Sequence, residues 1–332
     1  MNRGIDQLLT TMNFKKLLNS VGMLFALLAI IWFGDQLLEH LAKFPTASVS
    51  ALVFVCLAIL FYSVPAIVSG VAWCYLLQAT GERQLQMWRV VSIACLSQIG
   101  KYAPGNVAHH VGRVVLAKRY GLGMTNTLFT MFMETVWVIV IAGLLALVAI
   151  VSVGGRVFAE VPHLPQWWVL GGLVVIAMLA PVLGHRLFER GALWWASRKG
   201  ITIQSVQMPP LSTFWLVGLL YIINYLILGL ILQLIATQVF DVIAGDFLLF
   251  SGIFAVAWIV GFITPGAPAG LGVREVVLVA ALTPICGNEN AIGIAAVLRV
   301  VTVLGDGLVF LIGLGLAKSI KNNPPGSSEN LS

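Results

Sequence analysis

Arg113 and Arg274 are the side chains best suited to chemistry in this sequence, and each follows a break in otherwise apolar sequence. A guanidinium offers a planar fork of donors that grips phosphate oxygens in pairs and keeps its charge at any physiological pH. The stretch before Arg274 runs Gly-Phe-Ile-Thr-Pro-Gly-Ala-Pro-Ala-Gly-Leu-Gly-Val-Arg-Glu from Gly261 to Glu275, inside an apolar segment from Phe247 to Ile285. Its four glycines and two prolines cannot continue a helix. In hydrocarbon, such a break survives only when buried in protein or lining a wet cavity. The backbone opened at Gly105 and Gly266 would place N–H groups at the start of the following half-helix, an arrangement that receives anions. The chemistry expected is therefore capture of a phosphate by Arg274, Arg113 and the two glycines. A structural alternative stands beside it for each arginine. Arg274 could pair with Glu275, Asp306 or Glu134, and Arg113, close to Lys118 and Arg119, could mark an ordinary cytoplasmic boundary.

Other charged residues fall into supporting roles. Lys101 lies near the first break beside Tyr102, where it could be a second phosphate contact or a snorkelling anchor. Glu275 is counted with the substrate-binding group. Arg299 and Asp306 are seven residues apart and share a helix face, which suits pairing with hairpin charges. Glu134 is a lone carboxylate in an apolar helix, open to proton coupling or to an interior hydrogen bond. His109 and His110 point about 100° apart on a helix, so they suit a headgroup or the interface better than a shared metal. Catalytic signatures are absent: there is no Gly-x-Ser-x-Gly, phosphate-binding loop or His-Glu-x-x-His. The four cysteines lack metal-ligand spacing and read as small hydrophobes. No catalytic residue, metal or cofactor is expected.

The elements that must hold these residues show a repeat. An offset of 161 residues superposes Gly261 on Gly100, Pro265 on Pro104, Gly266 on Gly105 and Arg274 on Arg113. Apolar stretches long enough for about 30 Å of hydrocarbon run from Leu17 to Gly34, Ser48 to Leu77, Thr127 to Ser152, Gln166 to Gly184, Thr213 to Gln238 and Ala291 to Ala317. The broken segments are Val90 to Arg119 and Phe247 to Ile285. If both enter and return on one side, 15 of the 19 basic residues collect on the cytoplasmic face, with Lys43 and Arg156 outside and Arg274 and Arg299 within the membrane. Full crossings would move seven of them out, so the positive-inside rule favours re-entry.

The sequence thus predicts an all-α polytopic membrane protein of two inverted repeats, each with three transmembrane helices and one re-entrant broken-helix hairpin. The single transmembrane domain is placed at 1–318, with repeats at about 12–155 and 165–318 and a disordered polar tail at 319–332. Both termini would be cytoplasmic. A hydrophobic content of 59% with only 10% charged residues excludes a soluble enzyme. The net charge of +6 belongs to cytoplasmic loops and not to nucleic-acid binding.

Around these motifs the chain resembles the transmembrane-region, or flippase-domain, family of lysylphosphatidylglycerol synthases. The resemblance rests on Gly100-Lys101-Tyr102, Pro104-Gly105, His109, Gly112-Arg113, Pro265-Gly266, Gly270-Leu271-Gly272, Arg274-Glu275, Arg299 and Gly305-Asp306. It implies a protein of the bacterial inner membrane that moves an anionic phospholipid or lipid-linked headgroup between leaflets. Two departures stand out. Ala267-Pro268 replaces expected glycine, and only a short tail follows the last span, so a stand-alone member without the aminoacyl-transferase domain is expected. The alternatives are a membrane-embedded transferase using His109, Glu134 or Glu275, and a noncatalytic partner of a lipid-modifying or glycan-assembly enzyme.

Overall fold

The computed structural model describes residues 30–36, 49–82, 85–103, 108–157 and 207–322, with isolated positions elsewhere between 24 and 39 and between 172 and 198. Among these residues all regular structure is helical. The expected spans at 17–34 and 166–184 lie largely outside the described residues, as do Gly105 and residues 323–332. The last helix runs through Asn322, past the expected start of the polar tail.

Seven α-helices are described: α1 Val49–Ala79, α2 Met87–Ser97, α3 Ala108–Arg119, α4 Met124–Val157, α5 Leu211–Val239, α6 Phe247–Ile263 and α7 Val273–Asn322. Short 3-10 turns at Gln98–Tyr102 and Pro268–Gly270 lie in the two breaks. Helix α7 is two arms, because Gly287 takes φ 80° and ψ 161° and ends the helical path between 273–286 and 288–322. Four helices, α1, α4, α5 and α7, are long and apolar enough to cross a membrane. By contrast α2 has 11 residues and α3 has 12, so each rises only about 17–18 Å at 1.5 Å per residue.

Local chemistry explains the breaks. Helix α6 starts on Asp246, whose side chain accepts a bond of 2.8 Å from the Leu249 N–H. It ends at Thr264, where Pro265 forces extended backbone (φ −73°, ψ 112°). Gly266, Gly270 and Gly272 then take φ of 83°, 66° and 81°, values that only glycine adopts cheaply. Ala269, between them, is held at φ 51° despite its Cβ.

Each half of the chain runs long helix, short helix, break, short helix, long helix, and the packing follows the same rule. Helix α1 packs along its counterpart α5; α4 packs on α6 as α7 packs on α2; and α5 meets α6 as α1 meets α2. Without water to drive burial, helices in lipid associate through close packing and interhelical hydrogen bonds. One large cluster, including Phe129, Met133, Leu232, Phe250, Phe254 and Leu282, joins α4, α5, α6 and α7. Outward faces carry Leu52, Val53, Leu60, Leu219 and Leu304 exposed, as a lipid-facing surface requires.

Two close backbone approaches are related by the sequence offset. A Cβ on Gly100 would stand 2.7 Å from the His109 N, and one on Gly261 would stand 3.3 Å from the Gly270 Cα. These two contacts are related by the 161-residue offset at both ends. Each glycine lets the segments on either side of its break touch. Gly100→Ala drives a methyl into backbone that cannot swing aside and is expected to lower stability by about 1–3 kcal/mol. Gly261→Ala is expected to cost less. Thermal unfolding of the two variants in detergent checks the order.

Candidate functional site

The two breaks border one cavity of about 240 Å³. The first contributes Lys101, Tyr102, His109 and Arg113, the second Gly261, Ala269, Gly270 and Arg274. Helices α1, α4, α5 and α7 close it with Tyr62, Glu134, Tyr221, Asn224, Arg299 and Asp306, among others. Residues far apart in sequence thus meet in one polar space inside an apolar bundle. Gly266 is buried with its positive φ but does not line this space, and neither does Glu275.

Three carboxylates stand in or beside the cavity, and each is already matched by a cation. Asp306 on α7 accepts from Lys101 Nζ at 2.7 Å through one oxygen and from the Tyr102 hydroxyl at 2.5 Å through the other. Lys101 Nζ also lies 3.4 Å from the Tyr62 hydroxyl and over the rings of Tyr62 and Tyr102. Glu134 on α4 accepts from Arg113 Nη1 and, through its second oxygen, from the Tyr221 hydroxyl at 2.5 Å. Arg113 rests on the Trp73 ring, 4.6 Å from its centroid, and Trp73 is itself held by an N–H donated to Thr130 Oγ1 at 3.0 Å.

Glu275 occupies the third position in α7 and turns back on the helix start. Its Oε2 accepts from the Gly272 N–H at 2.6 Å, one half of a capping box, while its Oε1 pairs with Arg299 Nη1 at 3.2 Å. Both oxygens of Glu275, expected among the substrate contacts, are thus engaged within the protein, as is the Gly272 N–H at the start of α7. The backbone contribution expected of Gly266 is likewise not on the cavity wall.

Arg274 is different. Its guanidinium lies 4.5 Å from the centroid of the Phe254 ring, and no ion pair to Glu275, Asp306 or Glu134 forms. Its Nη2 is buried and meets no hydrogen-bond partner among the described residues. Buried donors are nearly always satisfied, and of the four cations that line the cavity Arg274 is the one without a carboxylate partner among the described residues. Offset by 161 residues, the counterpart of Glu134 is Ala295 and that of Tyr221 is Leu60. The second arginine therefore lacks the two groups that hold the first.

The sequence singled out the arginines, Lys101 and the carboxylates, but not Tyr62, Tyr221 or Asn224. The signal for them was a polar tip on an otherwise apolar helix, since a buried tyrosine hydroxyl needs a partner. Asn224 Nδ2 donates to Ser69 Oγ at 3.0 Å and so ties α5 to α1. His109 and His110, expected to point apart, bring their ring centroids within 3.8 Å, and both line the cavity.

The family model described as Lysylphosphatidylglycerol synthase TM region matches residues 19–310, nearly the whole chain. No curated protein matches it.

Proposed function

The chain belongs to the lysylphosphatidylglycerol synthase transmembrane-region family, and from that premise we propose that it is a flippase that carries an anionic phospholipid or lipid-linked headgroup between leaflets of the bacterial inner membrane. The observation that carries this reading is Arg274, a half-buried arginine with an unpartnered, inaccessible Nη2, on a membrane-protein cavity where, among the described residues, every carboxylate is already matched. A phosphate entering beside it gains a charge-assisted pair without breaking one of the protein's own. The acyl chains would remain in the bilayer while the headgroup exchanges part of its hydration for these donors.

Two re-entrant hairpins meeting near the midplane, in inverted repeats with both termini cytoplasmic, suit this activity. Support comes from the short arms of α2 and α3, the exchange symmetry of the packing and the distribution of basic residues. Alternating access would be rocking of one half against the other around the cavity. The Lys101–Asp306 and Glu134–Tyr221 contacts join the halves and are the ones such rocking must remake.

The reading makes the protein a carrier and not an enzyme. Glu134 and Glu275, the carboxylates a transferase would need as acid or base, are each bound to an arginine. The partner required is the lipid; an enzyme that modifies or assembles that lipid would act before or after it.

Leaflet exchange in proteoliposomes tests the proposal, using headgroup-labelled anionic, zwitterionic and polyprenyl-phosphate lipids. The expected result is protein-dependent exchange of an anionic class. Product formation by the purified protein in detergent, where no leaflets exist, together with no exchange in vesicles, would replace the flippase by a transferase.

A further inference from the structure

The unsatisfied atoms of the cavity describe the headgroup more closely than charge alone. Four side chains with a buried, unpartnered polar atom line it: Arg274 and Arg299 each through Nη2, Asn224 through Oδ1 and His109 through Nδ1. The two guanidinium nitrogens only donate, so they call for acceptor oxygens. The Asn224 oxygen only accepts, so it calls for a donor. His109 Nδ1 suits a hydroxyl in either tautomer, because a hydroxyl both donates and accepts.

Among the described residues, no carboxylate in or beside the cavity is left without a cation. Five of the six oxygens of Glu134, Glu275 and Asp306 accept a hydrogen bond from the protein, and the sixth, Glu275 Oε1, is ion-paired with Arg299 at 3.2 Å. Of the aromatic side chains that line the cavity, Tyr62 and Tyr102 already face Lys101, while Trp73 and Phe254 beside it carry Arg113 and Arg274. Trp258 stacks on Phe262 at 4.9 Å and takes the edge of Tyr225, which narrows access to its ring. With the histidines neutral, four cations face three carboxylates, leaving one positive charge. A monoanion neutralises it, whereas a zwitterion leaves it standing and an ammonium-bearing headgroup of net positive charge adds to it.

Resting on the reading of this cavity as a headgroup site, we infer that its ligand is a phosphodiester with one net negative charge and free hydroxyls, the headgroup of a polyol or sugar, and that it bears no ammonium. Arg274 and Arg299 take the phosphate oxygens, and Asn224 and His109 take hydroxyls.

The test is binding by the full chain in detergent, measured as thermal stabilisation against lipid concentration. The probes have matched acyl chains: phosphatidylglycerol, phosphatidylmethanol, phosphatidylethanolamine and lysyl-phosphatidylglycerol, with glycerol 1-phosphate as the soluble anion. Phosphatidylglycerol is expected to bind about tenfold or more tightly than the two ammonium-bearing lipids, the effect of one charge-assisted hydrogen bond. It should also exceed phosphatidylmethanol, which is an anion without hydroxyls. Arg274→Gln is expected to bring phosphatidylglycerol and phosphatidylethanolamine within about threefold of each other. Ammonium-bearing lipids that bind as well as phosphatidylglycerol, or no binding by any probe, overturn the inference. Phosphatidylmethanol equal to phosphatidylglycerol overturns its hydroxyl half, and glycerol 1-phosphate equal to the lipid makes the ligand a free phosphate ester. Leaflet exchange of the same lipids separates this from the transport reading. Selective binding without exchange defeats transport alone, and equal exchange of phosphatidylglycerol and phosphatidylethanolamine defeats selectivity alone.

Discussion

Arg274→Ala is expected to lower leaflet exchange of the anionic substrate by about 10- to 100-fold while leaving the protein as stable as before, or more so. The transport loss follows from removing a charge-assisted hydrogen bond, which contributes about 1.5–3 kcal/mol, where about 1.4 kcal/mol is tenfold. The stability result follows from the geometry. The Arg274 Nη2 is buried without a protein partner, so the native state bears a desolvation cost that alanine removes. Phe254 loses only a cation above its ring. Arg274→Lys keeps the charge but not the fork, and exchange is expected to fall several-fold toward the alanine level. Exchange rate and thermal midpoint should be measured on the same preparation. Undiminished exchange with alanine would remove Arg274 from the site, and a large drop in stability would assign it a structural role.

Glu134→Ala is expected to do the reverse and strike stability first. Arg113 and Glu134 are both buried, with side-chain exposures of 9% and 11%, and Tyr221 completes the group from the other half of the chain. Deleting the carboxylate leaves a guanidinium and a tyrosine hydroxyl without their acceptor, a loss on the order of 3–5 kcal/mol. Removing both charges at once, as in Arg113→Leu with Glu134→Leu, is expected to recover much of that loss. An exposed pair would contribute only about 0–1 kcal/mol. The double-mutant cycle in detergent unfolding gives the coupling directly. Additive effects would mean that the two residues do not hold each other.

These opposite expectations concern arginines that the sequence presents as equivalents, in the same spacing after Pro-Gly. The helices were legible from apolar runs. Ser48 to Leu77 and Thr213 to Gln238 differ from α1 and α5 by only one or two residues at each end. The breaks were legible too, because proline lacks an N–H and glycine leaves the helix cheaply. The repeat offset reappears as paired close contacts at Gly100 and Gly261.

The role of Glu275 was harder to read. Beside Arg274 it reads as that residue's ion-pair partner or as a substrate contact, yet adjacent residues on a helix diverge by about 100°. The spacing from Gly272 to Glu275 was the better signal, since it is that of a capping box. Once its carboxylate turns back to the Gly272 N–H, its other oxygen meets Arg299 on the second arm of α7.

By itself the sequence determined a helical membrane protein, two broken segments of matching spacing and a short list of charges near them, because hydropathy and backbone stereochemistry act over neighbouring residues. Only the tertiary structure decided which charge is left over. Asp306 meets Lys101 across 205 positions and Tyr221 meets Glu134 across 87. An ion pair depends on distance in space, to which separation along the chain is no guide. Three carboxylates were shared among four cations by that geometry, and the one left without a carboxylate is Arg274.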